Sequence, residues 1–91
     1  MSDQVYLKCQ IIEETKAERT VVSKLFDGTS FEIKTPYWNV ATKEDNAWLL
    51  VQVMGRDVKN NKLSVQLPSP ALTLGHIVSV AIADTTNVLT G

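Results

Sequence analysis

The stretch TVVSKLFDGTSFEIKT, from Thr20 to Thr35, contains two runs of β-branched and aromatic residues on either side of Asp27-Gly28. Glycine reaches the positive φ that a tight hairpin turn requires at little cost, and aspartate tolerates the same region. The stretch therefore predicts a β-hairpin whose tip lies at Asp27 and Gly28. We expect the rings of Phe26 and Phe31 to meet across its two strands.

The second strand of this hairpin alternates clearly between apolar and charged residues. Phe31 and Ile33 are predicted to face the core, and Glu32 and Lys34 to face solvent, because side chains alternate between the two faces of a strand. Pro36 is expected to end the strand, since proline has no N–H to donate to a neighbouring strand.

The N-terminal segment shows the same period of two. Its apolar positions share one face of a predicted strand and the intervening positions share the other. The apolar set is Val5, Leu7, Cys9 and Ile11, and the intervening set is Tyr6, Lys8 and Gln10. The charged segment that follows is expected to be a solvated connection.

Residues 46–70 predict a second hairpin with Asn60 and Asn61 at its tip, because asparagine adopts left-handed turn conformations more readily than most residues. The positions expected to face the core from its second strand are Leu63, Val65 and Leu67. Pro68 and Pro70 are expected to end this strand and to begin an extended surface connection.

Residues 43–54 allow two interpretations. Thr42 could cap a helix that ends at Gly55. The stiff β-branched side chains of Val51 and Val53 favour a strand instead, and the run 49–53 is apolar nearly all round. We predict a strand here and keep the helix as the alternative.

Residues 75–84 predict a closing strand with two different faces. One face is formed by Val78, Val80 and Ile82. The other face carries mostly small side chains and is formed by Ile77, Ser79, Ala81 and Ala83. Such a face suits close packing against another layer or against a neighbouring subunit. We therefore take Ile77, Ser79 and Ala81 as the candidate partner interface.

About six short strands, with turns at fairly regular spacing, predict an all-β fold. The 91 residues have the length of one small domain, so residues 1–91 are expected to form a single β domain. A small antiparallel β-barrel of the OB or SH3 kind is the first choice, and a compact β-sandwich is the second. The alternative for residues 43–54 leaves room for one short helix.

Charge and cysteine content narrow the classes of function. Nine basic residues against ten acidic ones give a net charge of -1, without the basic stripe that nucleic-acid binding usually needs. No Lys or Arg follows Lys62, so the last third is expected to be core or to meet a partner. Cys9 is the only cysteine, which favours a reducing compartment. We see no signal-peptide pattern and no apolar run of membrane-spanning length, so a cytoplasmic location is expected.

Few residues point to chemistry. One cysteine and one histidine do not provide the ligands of a structural zinc site, and no glycine-rich phosphate loop is present, so we predict no metal or cofactor. Cys9 and His76 could form a thiolate–imidazole pair if their strands were neighbours, but we predict Cys9 to be a small buried hydrophobe. Asp57 and Asp84 are predicted to be solvated carboxylates at strand ends rather than an acid–base pair.

The aromatic residues between 35 and 48 allow a functional and a structural interpretation. Tyr37 and Trp38 follow Pro36 in a predicted loop, where they could form a stacking platform for a base, a sugar or a proline-rich segment. The favoured interpretation is a loop that folds back over the core, because each ring hides about 150–250 Å². Trp48 lies inside an apolar run and is predicted still more strongly to be core.

The segment GHIVSVAIADTTNVLTG, from Gly75 to Gly91, is similar to the closing strand of TRAM domains, which are RNA-binding OB-like modules attached to tRNA-modifying enzymes. The matching positions are Gly75, Val78, Val80, Ile82, Asp84, Leu89 and Gly91. The resemblance implies an OB-like barrel that binds RNA. It covers only this C-terminal segment, and we assign no family from it.

Together these observations predict a small, non-enzymatic binding domain. A protein partner, including a second copy of the chain, is the first hypothesis, because an uncharged edge strand invites pairing unless it is covered. The alternative is an OB-like module that binds single-stranded nucleic acid through Tyr37, Trp38, Lys59 and Lys62. A third hypothesis, an enzyme built around Cys9 or the carboxylates, requires an exposed thiol of lowered pKa or a cleft.

Overall fold

The computed structural model describes residues 3–71 and 75–87, which form one curled antiparallel sheet. Its strands are β1 (Gln4–Glu14), β2 (Glu18–Lys24), β3 (Ser30–Pro36), β4 (Val40–Lys43), β5 (Asn46–Asp57), β6 (Lys62–Ala71), β7 (Gly75–Ala81) and β8 (Thr85–Thr86). The only helical elements in the described ranges are three single 3-10 turns, Tyr37–Asn39, Val58–Asn60 and Ile82–Asp84. The prediction of an all-β, barrel-like fold is confirmed.

The strand order is β3-β2-β1-β5-β6-β7, with β4 beside β5 and β8 beside β1. Strand β5 pairs with β1 along one edge, and with β4 and then β6 along the other. After β7 the chain returns to the middle of this order, where Thr85 and Thr86 pair with Leu7 and Tyr6 of β1. This return curls the sheet into a half-barrel.

The concave side of the sheet holds the core, and the alternation seen in the sequence decides which side chains enter it. The buried apolar residues are Val5, Leu7, Val21, Phe31, Ile33, Val40, Ala47, Leu49, Val51, Leu63, Val65, Leu67, Val78 and Val80. The inward positions predicted for β3 and β6 are therefore confirmed. Glu32 and Lys34, predicted to face solvent, are exposed.

The first predicted hairpin is present, but its loop is longer than a two-residue turn. The Leu25 N–H donates to the Thr29 carbonyl at 2.8 Å, and the Gly28 N–H donates to the Leu25 carbonyl at 2.9 Å. Gly28 has a φ of 90°. These bonds describe a three-residue loop, in which a type I turn is followed by a left-handed glycine.

The longer loop overturns the predicted contact between the two phenylalanines. Phe31 lies opposite Ser23 in the strand register, and Phe26 belongs to the loop. A two-residue turn would have kept Phe26 in the ladder. The extra loop residue instead sends its ring away from the hairpin and towards β7.

The second predicted hairpin is also present, and residues 46–57 are strand, so the helical alternative is wrong. Asn61 takes the left-handed conformation at the tip, with a φ of 57°. The prediction that Pro68 and Pro70 end the second strand is wrong, because β6 continues to Ala71. Prolines are tolerated there because the regular pairing of β6 stops at Gln66, beyond which the register with β7 is irregular.

The glycine at the first hairpin tip gives a test of this geometry. A Cβ added at Gly28 would meet no atom within 4 Å, so any cost of Gly28→Ala comes from the positive φ alone. We expect this substitution to lower the free energy of unfolding by about 1–2 kcal/mol, measured by urea denaturation. Gly55→Ala is the matched control, because its Cβ would make an ordinary 3.9 Å contact with the Cβ of Ser64. We expect the control to leave stability unchanged or slightly higher, and an equal loss in both variants would contradict the assigned loop.

Candidate partner-binding surfaces

The uncharged edge strand β7 is partly covered by the tip of the β2–β3 hairpin. The Phe26 N–H donates to the Ser79 carbonyl at 2.8 Å. This bond occupies the outer edge of β7 at Ser79, so another strand cannot pair at that position. The hairpin tip thus protects an edge that carries no charged side chain of its own.

A hollow of about 310 Å³ lies between this tip and β7. Its lining residues are Leu25, Phe26, Asp27, Lys62, Ile77, Val78 and Ser79. The Phe26 and Ile77 residues remain 42% and 57% exposed, so the hollow presents two large apolar side chains to solvent. The ammonium group of Lys62 lies 5.6 Å from the centroid of the Phe26 ring, which is a cation–π distance.

Asp27 adds a negative charge to the rim of the same hollow. The Thr29 N–H donates to its carboxylate at 2.9 Å. This hydrogen bond holds the pKa of Asp27 below its ordinary value, because it stabilises the ionised form. The rim therefore carries one cation and one anion around an apolar centre.

The residues predicted as a partner interface share the outer face of β7. Ile77 is the most exposed of them, and Ser79 and Ala81 are half-buried. Opposite these three residues on β6 lie Gln66, Ser64 and Lys62, in that order. The outer face of β6 and β7 is therefore mostly small and polar, with Ile77 as its large apolar side chain.

The aromatic pair at 37 and 38 is exposed, which overturns the favoured prediction that these rings cover the core. Trp38 is 70% exposed and Tyr37 is 49% exposed. The residue of this turn that points inward is Asn39, whose buried side-chain amide donates to the hydroxyl of Thr35 at 3.0 Å. Because Asn39 closes this end of the core, the rings are left outside.

Two hydrogen bonds fix the turn that presents these rings. The Tyr37 N–H donates to the Ala17 carbonyl at 3.0 Å. The guanidinium of Arg19 donates to the Val40 carbonyl at 2.8 Å, on the other side of the turn. The rings therefore stand on a backbone that is anchored before and after them.

Trp48 was predicted to lie in the core, and this prediction is wrong. It is half-buried and lies between Lys8 and Ala41 in the strand register. Its neighbours Ala47 and Leu49 face the core, so the alternation places Trp48 on the outer face. An apolar run in the sequence does not distinguish the two faces of a strand.

The four residues predicted to bind nucleic acid do not converge. Lys59 is exposed in the Val58–Asn60 turn, and Lys62 begins β6. Asn39, next to Trp38 in the chain, lines a second hollow with Leu67, five residues beyond Lys62 on β6. Five residues of strand span roughly 16 Å, so the rings and the cations lie towards opposite ends of β6.

The candidate thiol is held in its protonated form. Cys9 is half-buried and packs against the core, where burial raises its pKa from 9.0 to about 12. His76 is exposed at the start of β7, and strands β5 and β6 separate β7 from β1 in the sheet. The thiolate–imidazole pair is therefore not formed.

The two candidate carboxylates show no shared site. Asp57 is exposed and accepts a hydrogen bond from the Asn60 amide at 2.8 Å. Asp84 is half-buried beside a hollow that also includes Cys9. Within residues 3–71 and 75–87, no group of three or more Cys, His, Asp or Glu residues is placed to hold a metal ion.

Phe26 lies on the surface, which was not predicted from the sequence. The signal was present in the position of Gly28, because a type I turn followed by a left-handed glycine places residues 26–28 outside the ladder. The pattern alone did not separate this loop from a two-residue turn at Asp27 and Gly28.

Comparison of the chain with protein-family models, with curated proteins and with solved structures found no match. In the C-terminal segment that resembles TRAM domains, Gly75–Ala81 is a strand, whereas Leu89 and Gly91 lie outside the described residues. None of the helices in the described part of the chain is long and apolar enough to cross a membrane.

The raised pKa of Cys9 predicts a loss of stability at alkaline pH. Between pH 9.0 and about 12 the unfolded chain releases the thiol proton while the folded chain retains it, so the free energy of unfolding falls as pH rises through this window. Cys9→Ala removes this contribution. We expect its stability to decline less than that of the unmodified chain in urea denaturation between about pH 8 and pH 10.5. Parallel declines of the two proteins would contradict a buried, protonated thiol.

Proposed function

We propose that this domain is a non-enzymatic binding module whose partner is a protein. The observation that supports this most directly is the pair of exposed apolar residues, Phe26 and Ile77, on either side of one hollow. Large apolar side chains that share an exposed concave surface are typical of docking sites. We further propose that it acts in the reducing cytoplasm, where a lone thiol such as that of Cys9 is stable.

The chemistry of this surface suits a protein better than a charged polymer. An aromatic ring and an aliphatic side chain form its centre, and one cation and one anion lie at its rim. Protein interfaces have this arrangement, with an apolar centre and a polar edge. A nucleic acid would require several cations together, and among the described residues that line this hollow Lys62 is the only Lys or Arg.

The hydrogen bond between Phe26 and Ser79 limits how a partner can dock. Strand addition at the β7 edge would have to displace the hairpin tip from the Ser79 carbonyl. Docking through side chains requires no such displacement, because Ile77 and Phe26 are already exposed. The proposed mode is therefore contact between surfaces rather than extension of the sheet.

The first partner to test is a second copy of the chain. We expect sedimentation velocity to show self-association that increases with protein concentration, and Ile77→Lys to abolish it, because an ammonium group would be buried without a partner. Val58→Lys is the matched control, since Val58 is an exposed apolar residue at the tip of the other hairpin. Strictly monomeric behaviour of the unmodified chain would contradict the homodimer.

A different protein partner is tested by photo-crosslinking in cells. A photoreactive residue at position 77 should capture a defined protein that the same residue at position 58 does not capture. If the two positions crosslink to the same proteins, docking at β7 is contradicted.

A further inference from the structure

Three glutamines form a continuous row across the outer face of the sheet. Gln4 of β1 lies opposite Gln52 of β5, and Gln52 lies opposite Gln66 of β6. Directly opposed residues in antiparallel strands have Cβ atoms about 4.5–5.5 Å apart and point to the same face. The register thus brings three amide side chains side by side.

These amides line a hollow of about 250 Å³ that is separate from the one beside β7. The other lining residues are Asn39, Leu50, Val51, Leu67 and Pro68. None of the described residues that line it is charged. A ligand that fits this hollow is therefore recognised by neutral hydrogen bonds and apolar contact.

The glutamine amides are free to bind such a ligand. None of the three makes a side-chain hydrogen bond to another residue in the described ranges. Each amide offers two N–H donors and one carbonyl acceptor. The row therefore presents both donors and acceptors along about 10 Å of surface.

The exposed residue Trp38 is next in the chain to a residue that lines this hollow. Asn39 is part of the lining, and the Cα of Trp38 lies about 3.8 Å from that of Asn39 because the two residues are consecutive. Trp38 is the most exposed aromatic residue of the described chain. Since its turn is anchored through Ala17 and Val40, little loop ordering would oppose binding.

We propose that this surface, formed by Gln4, Gln52, Gln66, Asn39 and Trp38, is a binding site for a neutral carbohydrate. The three glutamine amides bond the sugar hydroxyls, and the indole packs against the C–H face of a sugar ring. At about 250 Å³ the hollow is smaller than the roughly 300 Å³ at which sites for drug-sized molecules begin, so it suits a single sugar ring of a longer chain. The site includes neither Phe26 nor Ile77, the residues of the proposed protein-binding surface.

The hydrogen-bonding chemistry distinguishes a sugar from the other ligands that stack on aromatic rings. A hydroxyl both donates and accepts, so it pairs with both ends of an amide. A proline-rich peptide offers chiefly carbonyl acceptors, which would leave the amide oxygens of the row unpaired. A nucleic acid requires cations, and Lys62 lies four residues before Gln66 on β6, roughly 13 Å away.

Intrinsic fluorescence provides the test, because Trp48→Phe leaves Trp38 as the single tryptophan of the chain. This variant is titrated with maltohexaose, cellohexaose and chitin hexasaccharide, and in parallel with an oligothymidylate and a proline-rich peptide. We expect at least one neutral oligosaccharide to shift the Trp38 emission to the blue and to protect it from acrylamide. The dissociation constant should not change with salt. If Trp48→Phe does not fold, calorimetric titration of the unmodified chain gives the same comparison.

The amide row is tested with a matched pair of substitutions. Gln52→Ala should weaken oligosaccharide binding by about tenfold or more, whereas Gln10→Ala should have no effect. Gln10 is an exposed amide on the same strand as Gln4 but outside the hollow. Circular dichroism and urea denaturation establish that both variants are folded.

The proposal is overturned by any of three results. No binding of the neutral oligosaccharides would exclude the ligand class, and equal affinity in the two glutamine variants would exclude the amide row. Binding of the oligothymidylate or the peptide alone would assign Trp38 to a different ligand. Because none of these measurements involves Ile77, failure here leaves the proposed protein-binding surface to its own test.

Discussion

The extended backbone of β5 is the constraint on which the rest of the sheet depends. Its residues pair with β1 on one side and with β4 and β6 on the other, so one strand positions three neighbours. Leu49 and Val51 are buried from this strand, while Trp48 and Gln52 lie on its outer face. A slip of one residue in its register would exchange the two sets, which would bury polar amides and expose the core. The composition of the outer surface is thus fixed by the packing of the inner one.

The sequence was sufficient to predict the fold class, because alternating burial depends on local pattern and on one apolar face. The same pattern placed Phe31, Ile33 and Leu63 correctly, since each lies in a strand with a polar residue on either side. It failed for Trp38, whose exposure depends on Asn39 occupying the space inside the turn. That competition between two neighbouring residues is settled by tertiary packing, which composition and periodicity do not describe. The row of glutamines was missed for a related reason, because it exists only once the register of three strands is known.

The two outer strands of the sheet are protected against unwanted pairing in different ways. Strand β3 carries Glu32, Lys34 and Pro36, and charges and proline on an edge discourage association with other strands. Strand β7 has no charged residue from Ile77 to Ala81, and the Phe26 loop covers it instead. Because this loop already blocks pairing at part of the β7 edge, β7 has less need of charged residues to prevent association. The Phe26 loop does not account for the exposure of Ile77 and of Phe26 itself. Burial of both side chains by a bound partner would account for it.

The two proposed surfaces meet at one pair of residues, which limits how they can be occupied together. Gln66 of the amide row lies directly opposite Ile77 in the register of β6 and β7, and opposed side chains point to the same face. A protein docked on Ile77 would therefore approach the Gln66 end of the amide row. A short sugar held at Gln4 and Gln52 would leave Ile77 accessible, whereas a longer glycan that extends past Gln66 would compete with the protein.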